Sequence, residues 1–435
     1  MKISWLKKIV SISLALAMLL FLVACNGATK EPGGETGAPG GDSTPSASDK
    51  SPAPAPDGST SPGEKTDVLK IGVLINLTGW FSVIDANNKN EITAYANMLN
   101  EEGGVKIGDT TYTVELVFED GQSDATGIRN AAQLLVNSGC KYVIETNDFW
   151  VESAMDIFEK NGIMNMMAQN NMSPATINPD LKYSFTFCNG AVANYDAAFQ
   201  AIKDLYPEAK TVIHCQNDDG QQEALQELMR EKCEKYGFTY IDEPVIYDAS
   251  ATDFSAIALQ IIKTGADIFM GNGQPANVAS ILKEVRNNGS DQVFAPIIGM
   301  PAASLMEIAG IGASTRVFSE SWDLSTEANC PPLFWKIYQK YVEDFGAESA
   351  ASMGGNFSNT LYVLLNLMQG CGSIDVGDVI AYWDTLETVD TIYGTGIIGG
   401  KETYGVNHLV AHPTGITYLV DGKQEFGGIY DTIVP

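Results

Sequence analysis

The residues of this chain that are most suited to binding chemistry are aromatic, amide and carboxylate side chains placed after short apolar segments. Trp80 follows the apolar run 68–75, and Phe149 and Trp150 follow the run 140–146. Aromatic faces attract organic cations by roughly 0.5–2 kcal/mol per contact, and they also stack on flat organic molecules. Amides orient a ligand by directed hydrogen bonds, and carboxylates attract a positive charge. The candidate ligand-binding residues are Trp80, Asp148, Phe149, Trp150, Asn170, Asn171, Asp219, Gln274 and Trp322.

Each candidate also has a structural interpretation. A tryptophan near the end of a strand can pack between elements without touching a ligand. Asn170 and Asn171 can satisfy the backbone of a turn, and Asp219 can cap a helix that begins near Gly220. Both interpretations remain open for these residues.

The histidines and glycines do not indicate an enzyme. The chain has three histidines, His214, His408 and His412, which are scattered in the sequence. His214 lies inside an apolar segment and is typical of a core histidine. Neither a GxSxG motif nor a P-loop occurs, and no GxGxxG opens a helix after a predicted strand. We therefore expect a protein that is not an enzyme, with no catalytic residue, metal site or cofactor.

The N-terminus indicates export. Three lysines lie within the first eight residues, and an apolar run of 16 residues follows at 9–24. A membrane span needs about 20 apolar residues, so the run is typical of a signal peptide. It ends in LVAC (22–25), which resembles the lipobox of bacterial lipoproteins. That resemblance implies cleavage before Cys25 and a lipid on its thiol.

The next segment is predicted to be a tether. Residues 26–66 contain no aromatic residue and no Val, Ile, Leu or Met, so they cannot bury enough apolar surface to fold. A flexible chain of this length reaches about 35 Å. We expect a signal peptide at 1–24, a lipidated Cys25 and tether at 25–66, and a globular body held on the extracellular face of the cell membrane.

Charge and cysteine content limit the partners and the covalent chemistry. The formal net charge is −28, which argues against nucleic acid because phosphates would be repelled. Besides Cys25 there are six cysteines, without a CxxC pair or zinc spacing. Isolated buried thiols are favoured over disulfides, and no pairing is assigned.

The body predicts an α/β fold of two lobes. Short apolar strands alternate with helical segments from residue 67 to about residue 169, and the same alternation recurs from residue 211 to residue 300. This order indicates two doubly wound parallel sheets, with ligands bound beyond the carboxyl ends of the strands. The loops at those ends are 78–81, 145–153, 168–173, 216–222, 272–277 and 300–304.

Over 67–435 the chain resembles the type I periplasmic solute-binding proteins, in the branch of the ABC-transporter family that binds branched-chain amino acids (Leu/Ile/Val). The matching stretches are IGVLINLTG (71–79), the run 99–124, AAQLLV (131–136), the run 251–273, the run 356–375 and YLVDGKQ (418–424).

The resemblance implies two lobes joined by three hinge crossings, near 182–189, 316–323 and 393–400. The N-terminal lobe would comprise 67–187 plus 320–395, and the C-terminal lobe 188–319 plus 396–435. It also implies a monomer that binds a small-molecule solute and delivers it to the transmembrane subunits of an ABC permease. The same fold can instead present a ligand to a membrane receptor, and that sensing alternative stays open.

The predicted ligand loops depart from the pattern of relatives that bind aliphatic amino acids. Those relatives carry hydroxyls where this chain has Asp148-Phe149-Trp150 and Asn170-Asn171-Met172, and often a tyrosine at the position of Asp219. The stretch GMPA (299–302) lacks the acidic residue that holds the ligand's amino group in some relatives. The expected solute is therefore an amino acid or a related amine, amide or aromatic molecule.

Overall fold

The structure is a computed structural model that describes residues 65–169, 173–218, 222–296, 302–351 and 353–433. The predicted signal peptide, Cys25 and almost all of the predicted tether lie outside these ranges. The first strand begins at Lys65, so the last two residues of the predicted tether belong to the folded body.

Two sheets organise the body. In chain order the strands are β1 (Lys65–Ile75), β2 (Val105–Ile107), β3 (Thr110–Asp120), β4 (Tyr142–Asn147), β5 (Met164–Gln169), β6 (Ser184–Thr186), β7 (Thr211–Asn217), β8 (Thr239–Tyr240), β9 (Val245–Tyr247), β10 (Ile268–Asn272), β11 (Val293–Pro296), β12 (Val317–Glu320), β13 (Thr388–Thr391), β14 (Gly394–Gly399), β15 (Leu409–Ala411), β16 (Thr414–Val420) and β17 (Lys423–Tyr430). The first sheet has the order β13-β14-β15-β6-β5-β4-β1-β3-β2, and the second has β17-β16-β12-β11-β10-β7-β8, with β9 beside β7.

Parallel pairing dominates the centre of both sheets. In the first sheet β3, β1, β4, β5 and β6 pair in parallel, and in the second sheet β7, β10, β11 and β12 do so. Antiparallel strands lie at the edges, as β14 with β13 and β16 with β17 show. The predicted fold of two parallel-sheet α/β lobes is confirmed.

Helices connect the strands. They are α1 (Ser82–Glu101), α2 (Ala125–Asn137), α3 (Asp148–Val151), α4 (Met155–Asn161), α5 (Ala191–Leu205), α6 (Gln222–Tyr236), α7 (Ser255–Lys263), α8 (Pro275–Asn287), α9 (Ala302–Ala309), α10 (Pro332–Phe345), α11 (Ala347–Ala350), α12 (Asn356–Cys371), α13 (Val376–Trp383) and α14 (Lys401–Tyr404). Among the residues with a described structure, no helix combines the length and apolar character needed to cross a membrane.

Each sheet is buried on both faces. In β1, Ile71 and Val73 belong to one apolar core, whereas Leu74 belongs to the core on the other face. In β7, Ile213 belongs to a third apolar core on one face of the second sheet, and Val212 belongs to a fourth core on the other face. A strand that is covered by helices on both faces consists of a nearly continuous run of apolar residues. These runs predicted the strands from the sequence.

Three segments connect the sheets, and their positions correct part of the expected division. The chain leaves the first sheet after β6 and leaves the second after β12, near two of the expected crossings. The third transition lies between β15 and β16, at 412–413, and not at 393–400. Residues 396–411, expected in the second lobe, run through β14 and β15 of the first sheet because these strands pair with β13 and β6.

The six cysteines of the body, at positions 140, 188, 215, 233, 330 and 371, are free thiols, and all but Cys371 are buried. Within the described part of the chain no group of three His, Cys, Asp or Glu side chains is placed to hold a metal ion.

Candidate functional site

The carboxyl edges of the two sheets are the edges from which the chain crosses between lobes. The first crossing follows the carboxyl end of β6, and the second follows the carboxyl end of β12. Parallel strands end at the same edge, so the loops after β1 and β4 lie at the edge where β6 ends. The ends of β7 and β10 likewise share an edge with the end of β12.

Two carboxylates shape the loop after β1. Asp120, at the end of β3, accepts hydrogen bonds from the backbone N–H of Leu77 (2.8 Å) and from the Thr78 hydroxyl (2.7 Å). Buried Asp85 accepts from the backbone N–H of Asn76 (2.7 Å) and from the Thr146 hydroxyl (2.9 Å). The pKa of Asp85 is raised because burial disfavours its charge, although these hydrogen bonds act in the opposite direction.

The turn itself requires a glycine. Gly79 has a φ of +84°, and a Cβ there would lie 2.6 Å from the side chain of Ser123. The Ser123 hydroxyl donates to the carbonyl of Thr78 (2.8 Å) and accepts from the N–H of Phe81 (3.2 Å). The backbone before and after Trp80 is therefore held by several hydrogen bonds.

The loops after β1 and β4 meet in a group of four aromatic rings, Trp80, Phe81, Phe149 and Trp150, which we call the aromatic platform. The ring centroid of Trp150 lies 5.5 Å from that of Trp80, 4.9 Å from that of Phe149 and 6.0 Å from that of Phe81. Trp150 is only 6% exposed, whereas Trp80 is 63% and Phe149 62% exposed. The platform thus has a buried centre and two exposed rings.

The indole N–H of Trp150 adds a polar feature to this apolar surface. The nitrogen is buried and has no hydrogen-bond partner among the residues that the structure describes. A buried indole N–H normally finds an acceptor, so this unpaired donor at the centre of the platform is unusual.

The second sheet carries a polar row at its carboxyl edge. The register pairs Gln216 of β7 with Asn272 of β10. Gly271 pairs with Pro296, and Phe294 pairs with Val317. Glu320 ends β12 at the same edge, three strands from Gln216, which is about 14 Å at the usual strand spacing.

Glu320 is the most unusual member of this row. Its side chain is half-buried, but both carboxylate oxygens are inaccessible to solvent and have no hydrogen-bond partner in the described ranges. Burial alone raises the pKa of Glu320 to about 8. Glu320 is not among the residues predicted from the sequence, although a charged residue ending the apolar strand VFSE (317–320) was a usable signal.

Gln216 is held at the other end of the row. His214 Nδ1 lies 2.6 Å from the Tyr240 hydroxyl, and His214 Nε2 lies 2.9 Å from Gln216 Oε1. Burial lowers the pKa of His214 to about 4, so the imidazole is neutral at pH 7. The amide nitrogen of Gln216 is buried and has no partner in the described parts of the chain.

The remaining predicted residues differ in where they lie. Gln274 is exposed and stands at the N-terminus of α8, directly after β10. Asp148 begins α3, but its side chain is not among the described parts of the structure. Asn170, Asn171 and Asp219 lie outside the described residues.

Trp322 lies in the second crossing and packs against the first lobe. It is 8% exposed, and its ring is parallel to that of Tyr393, with the centroids 5.5 Å apart. A Cβ on Gly415 would lie 2.7 Å from the Trp322 ring. The structure therefore separates Trp322 from the aromatic platform and places it in the packing of the hinge.

Asn189 joins the first crossing to the third. Its amide nitrogen donates to the His412 carbonyl and to the Thr414 hydroxyl, both at 2.9 Å. Its amide oxygen accepts from the His412 backbone N–H (2.8 Å) and from the Thr432 hydroxyl (3.0 Å). One side chain thus fixes the relative path of two crossings.

Residues 68–424 match the family model for the periplasmic binding proteins. This chain belongs to that family. Its two parallel-sheet lobes have the type I fold of that family. Members of the family are substrate-binding proteins, found outside the cytoplasmic membrane.

Two curated relatives illustrate the match. The leucine-specific-binding protein of Salmonella typhimurium is 26% identical over 262 residues, which cover 58% of this chain and 67% of that protein. The Leu/Ile/Val-binding protein homolog 2 of Brucella abortus is 23% identical over 56% of this chain and 64% of its own length. The matches span about two thirds of each relative.

Solved structures of periplasmic binding proteins share the fold. The branched-chain amino acid transporter substrate binding protein LivJ of Streptococcus pneumoniae, in complex with isoleucine, superposes with a TM-score of 0.67 at 14% identity, over 85% of this chain and all of that one. A solute binding protein of an ABC transporter from R. palustris, in complex with 4-hydroxybenzoate, gives a TM-score of 0.65 at 17% identity, over 84% of this chain and 97% of that one.

Proposed function

We propose that this periplasmic binding protein captures a small organic solute between its two lobes and delivers it to the transmembrane subunits of an ABC permease. It acts by binding and release, without chemical turnover. The observation that carries the proposal is the aromatic platform, whose exposed rings stand on the edge of the first sheet from which the chain crosses to the second.

The exposed rings need a partner that the first sheet does not supply. Two large aromatic side chains more than 60% exposed leave apolar surface in water, while hydrogen bonds hold the loop that carries Trp80. Such a surface is suited to a ligand because little conformational entropy is lost when the ligand binds.

Lobe closure is the mechanism we propose. A solute that contacts both carboxyl edges binds the closed form more tightly than the open form and shifts the population toward it by that difference in affinity. The three crossings would bend, with Asn189 and Trp322 keeping the hinge packed. The permease would then recognise the closed surface.

The cellular setting follows from the N-terminal segment. We propose that Cys25 carries a lipid and that 26–64 tethers the body to the outer face of the membrane. The lobes that close would be 65–186 with 332–411, and 191–320 with 414–433.

A binding screen tests the function. We expect at least one compound among amino acids, quaternary amines, amides and small aromatic acids to raise the melting temperature of the full chain in a concentration-dependent way. A ligand at 100 times its Kd adds about 2.7 kcal/mol to the free energy of unfolding. No shift with any compound class would contradict the proposal, and so would chemical conversion of the bound compound.

A further inference from the structure

A buried carboxylate at a ligand-facing edge needs a partner, and Glu320 is such a group. Taking a carboxylate out of water costs several kcal/mol unless a cation or several hydrogen-bond donors compensate for the lost hydration. Both oxygens of Glu320 are buried without a partner among the described residues. The next residues, from Ser321 onward, form the second crossing, so Glu320 lies where the second lobe joins the first.

The side chain faces the part of the sheet that α5 covers. Side chains alternate along a strand, so Glu320 points to the same face as Phe318. Phe318 packs in one core with Ile416 and with Tyr195 of α5. Val212 of β7 belongs to the same core, so Gln216 at the end of that strand also points to this face.

Within the described part of the chain, the charged neighbours do not neutralise Glu320. Its partner across β16 is the apolar Ile416. On α5 the titratable group that faces it is Tyr195, whose pKa is raised by burial and further by the charge of Glu320. Glu307 of α9 is exposed. Arg316, at the opposite end of β12, donates to Glu208 at 2.7 Å.

We propose that Glu320 receives a positively charged nitrogen of the solute, and that the solute is therefore an organic amine with an apolar or aromatic body. This inference rests on the proposed function. The ammonium group would donate a charge-assisted hydrogen bond to the Glu320 carboxylate. The apolar body would lie against the aromatic platform, whose exposed rings also attract cations.

A proton accompanies this recognition. The raised pKa of Glu320 keeps most of the carboxyl groups protonated at pH 7 in the free protein. A bound ammonium group favours the ionised form, so the proton passes to the buffer and the bound pair is neutral overall. Binding at pH 7 should release up to one proton per solute.

Matched probes separate the charged groups of a solute. L-leucine, 4-methylvalerate and isoamylamine share the same isobutyl group. Leucine carries both an amine and a carboxylate, 4-methylvalerate carries only the carboxylate, and isoamylamine carries only the amine. L-phenylalanine, hydrocinnamate and phenethylamine form the aromatic counterpart. We expect the probes that carry an amine to raise the melting temperature of the full chain and the two acids without nitrogen to leave it unchanged.

Calorimetry of the best amine then tests the residue. Glu320→Gln should weaken binding about tenfold or more and should abolish the release of protons, measured in two buffers of different ionisation enthalpy. The exposed Glu307→Gln on α9 of the same lobe is the matched control and should bind like the wild type. Glu320→Gln keeps the shape of the side chain and removes the loss of stability that the raised pKa of Glu320 causes at pH 7, so it should fold at least as stably as the wild type.

The outcomes distinguish this inference from the function on which it rests. If the acids without nitrogen bind, or if Glu320→Gln keeps the wild-type affinity and proton release, then the role of Glu320 is wrong although the protein still binds a solute. If neither these probes nor the wider screen shift the wild-type protein, the binding function fails and this inference fails with it.

Discussion

At the scale of single residues, two of the tryptophans near strand ends, Trp80 and Trp322, have opposite environments. Trp80 is 63% exposed above a turn, and Trp322 is 8% exposed against Tyr393. An exposed ring contributes little to folding because its surface stays in water, whereas a buried ring contributes several kcal/mol. The ring of Trp80 is therefore free to contact a ligand, as we propose, whereas the ring of Trp322 contributes to the packing of the hinge.

This difference predicts the effect of Trp80→Ala. The substitution should weaken binding of the best solute from the screen by about tenfold or more, because an exposed aromatic contact is lost. The melting temperature of the unliganded protein should change by less than about 2 °C. Calorimetry and thermal unfolding measure the two quantities.

The control for Trp80→Ala is Ile311→Ala, at another strongly exposed apolar side chain, in the second lobe. It should change neither affinity nor stability. A large loss of unliganded stability in Trp80→Ala would show that this ring is part of the packing and would remove it from the site.

At the scale of elements, the site depends on how β1, β3, β4 and α1 are joined at one edge of the first sheet. Asp85 comes from the first turn of α1 and bonds to Asn76 after β1 and to Thr146 of β4. Asp120 ends β3 and bonds to the same loop. The position of Trp80 is thus set by contacts between elements and not by the loop alone.

Asp85→Ala should destabilise the protein by about 2–4 kcal/mol, because it leaves the buried N–H of Asn76 and the Thr146 hydroxyl without an acceptor. Urea unfolding measures this change in the free energy of unfolding. Asp85→Asn keeps one acceptor oxygen and should cost less than half as much. Equal losses in both variants would mean that the negative charge of Asp85, and not its hydrogen bonding, supports the loop.

At the scale of the whole molecule, buried titratable groups couple stability to pH. Burial lowers the pKa values of His214 and His412 to about 4 from an ordinary value of 6.5, and that of His408 shifts in the same direction. The contribution of these histidines to the free energy of unfolding is fully present above pH 6.5. It is lost as the pH falls toward 4, because in that range only the unfolded chain takes up the protons. Glu320 acts with the opposite sign, since its raised pKa lowers stability as the pH rises from 4.5 to 8.

These signs predict the pH profile of urea unfolding. From pH 7 to pH 4.5, His214 and His412 should each remove about 2–3 kcal/mol from the free energy of unfolding, and Glu320 should return part of that loss. Glu320→Gln should therefore lose more stability than the wild type on acidification and less on raising the pH from 7 to 8.5.

Repeating the series in 0.5 M salt is the control, because salt screens surface charges and leaves these buried groups almost unaffected. A profile that becomes flat in salt would contradict this assignment.

Much of the fold was predictable because its signals are local. The alternation of apolar runs and helical segments identified the central strands β1, β4 and β5 and the loops after them. Residues 396–399 and 409–411 were assigned to the wrong lobe, because strand pairing with β13 and β6 depends on contacts far apart in the sequence.

The sequence by itself determined a two-lobed parallel α/β protein and the loops that carry Trp80, Phe149 and Trp150, since residue type and periodicity are properties of neighbouring residues. Only the tertiary structure decided that these rings form one platform, that Trp322 packs in the hinge, and that the Glu320 carboxylate is buried without a partner among the described residues. The physical reason is that exposure, desolvation and hydrogen bonding depend on which distant segments come together, and a single sequence does not state those contacts.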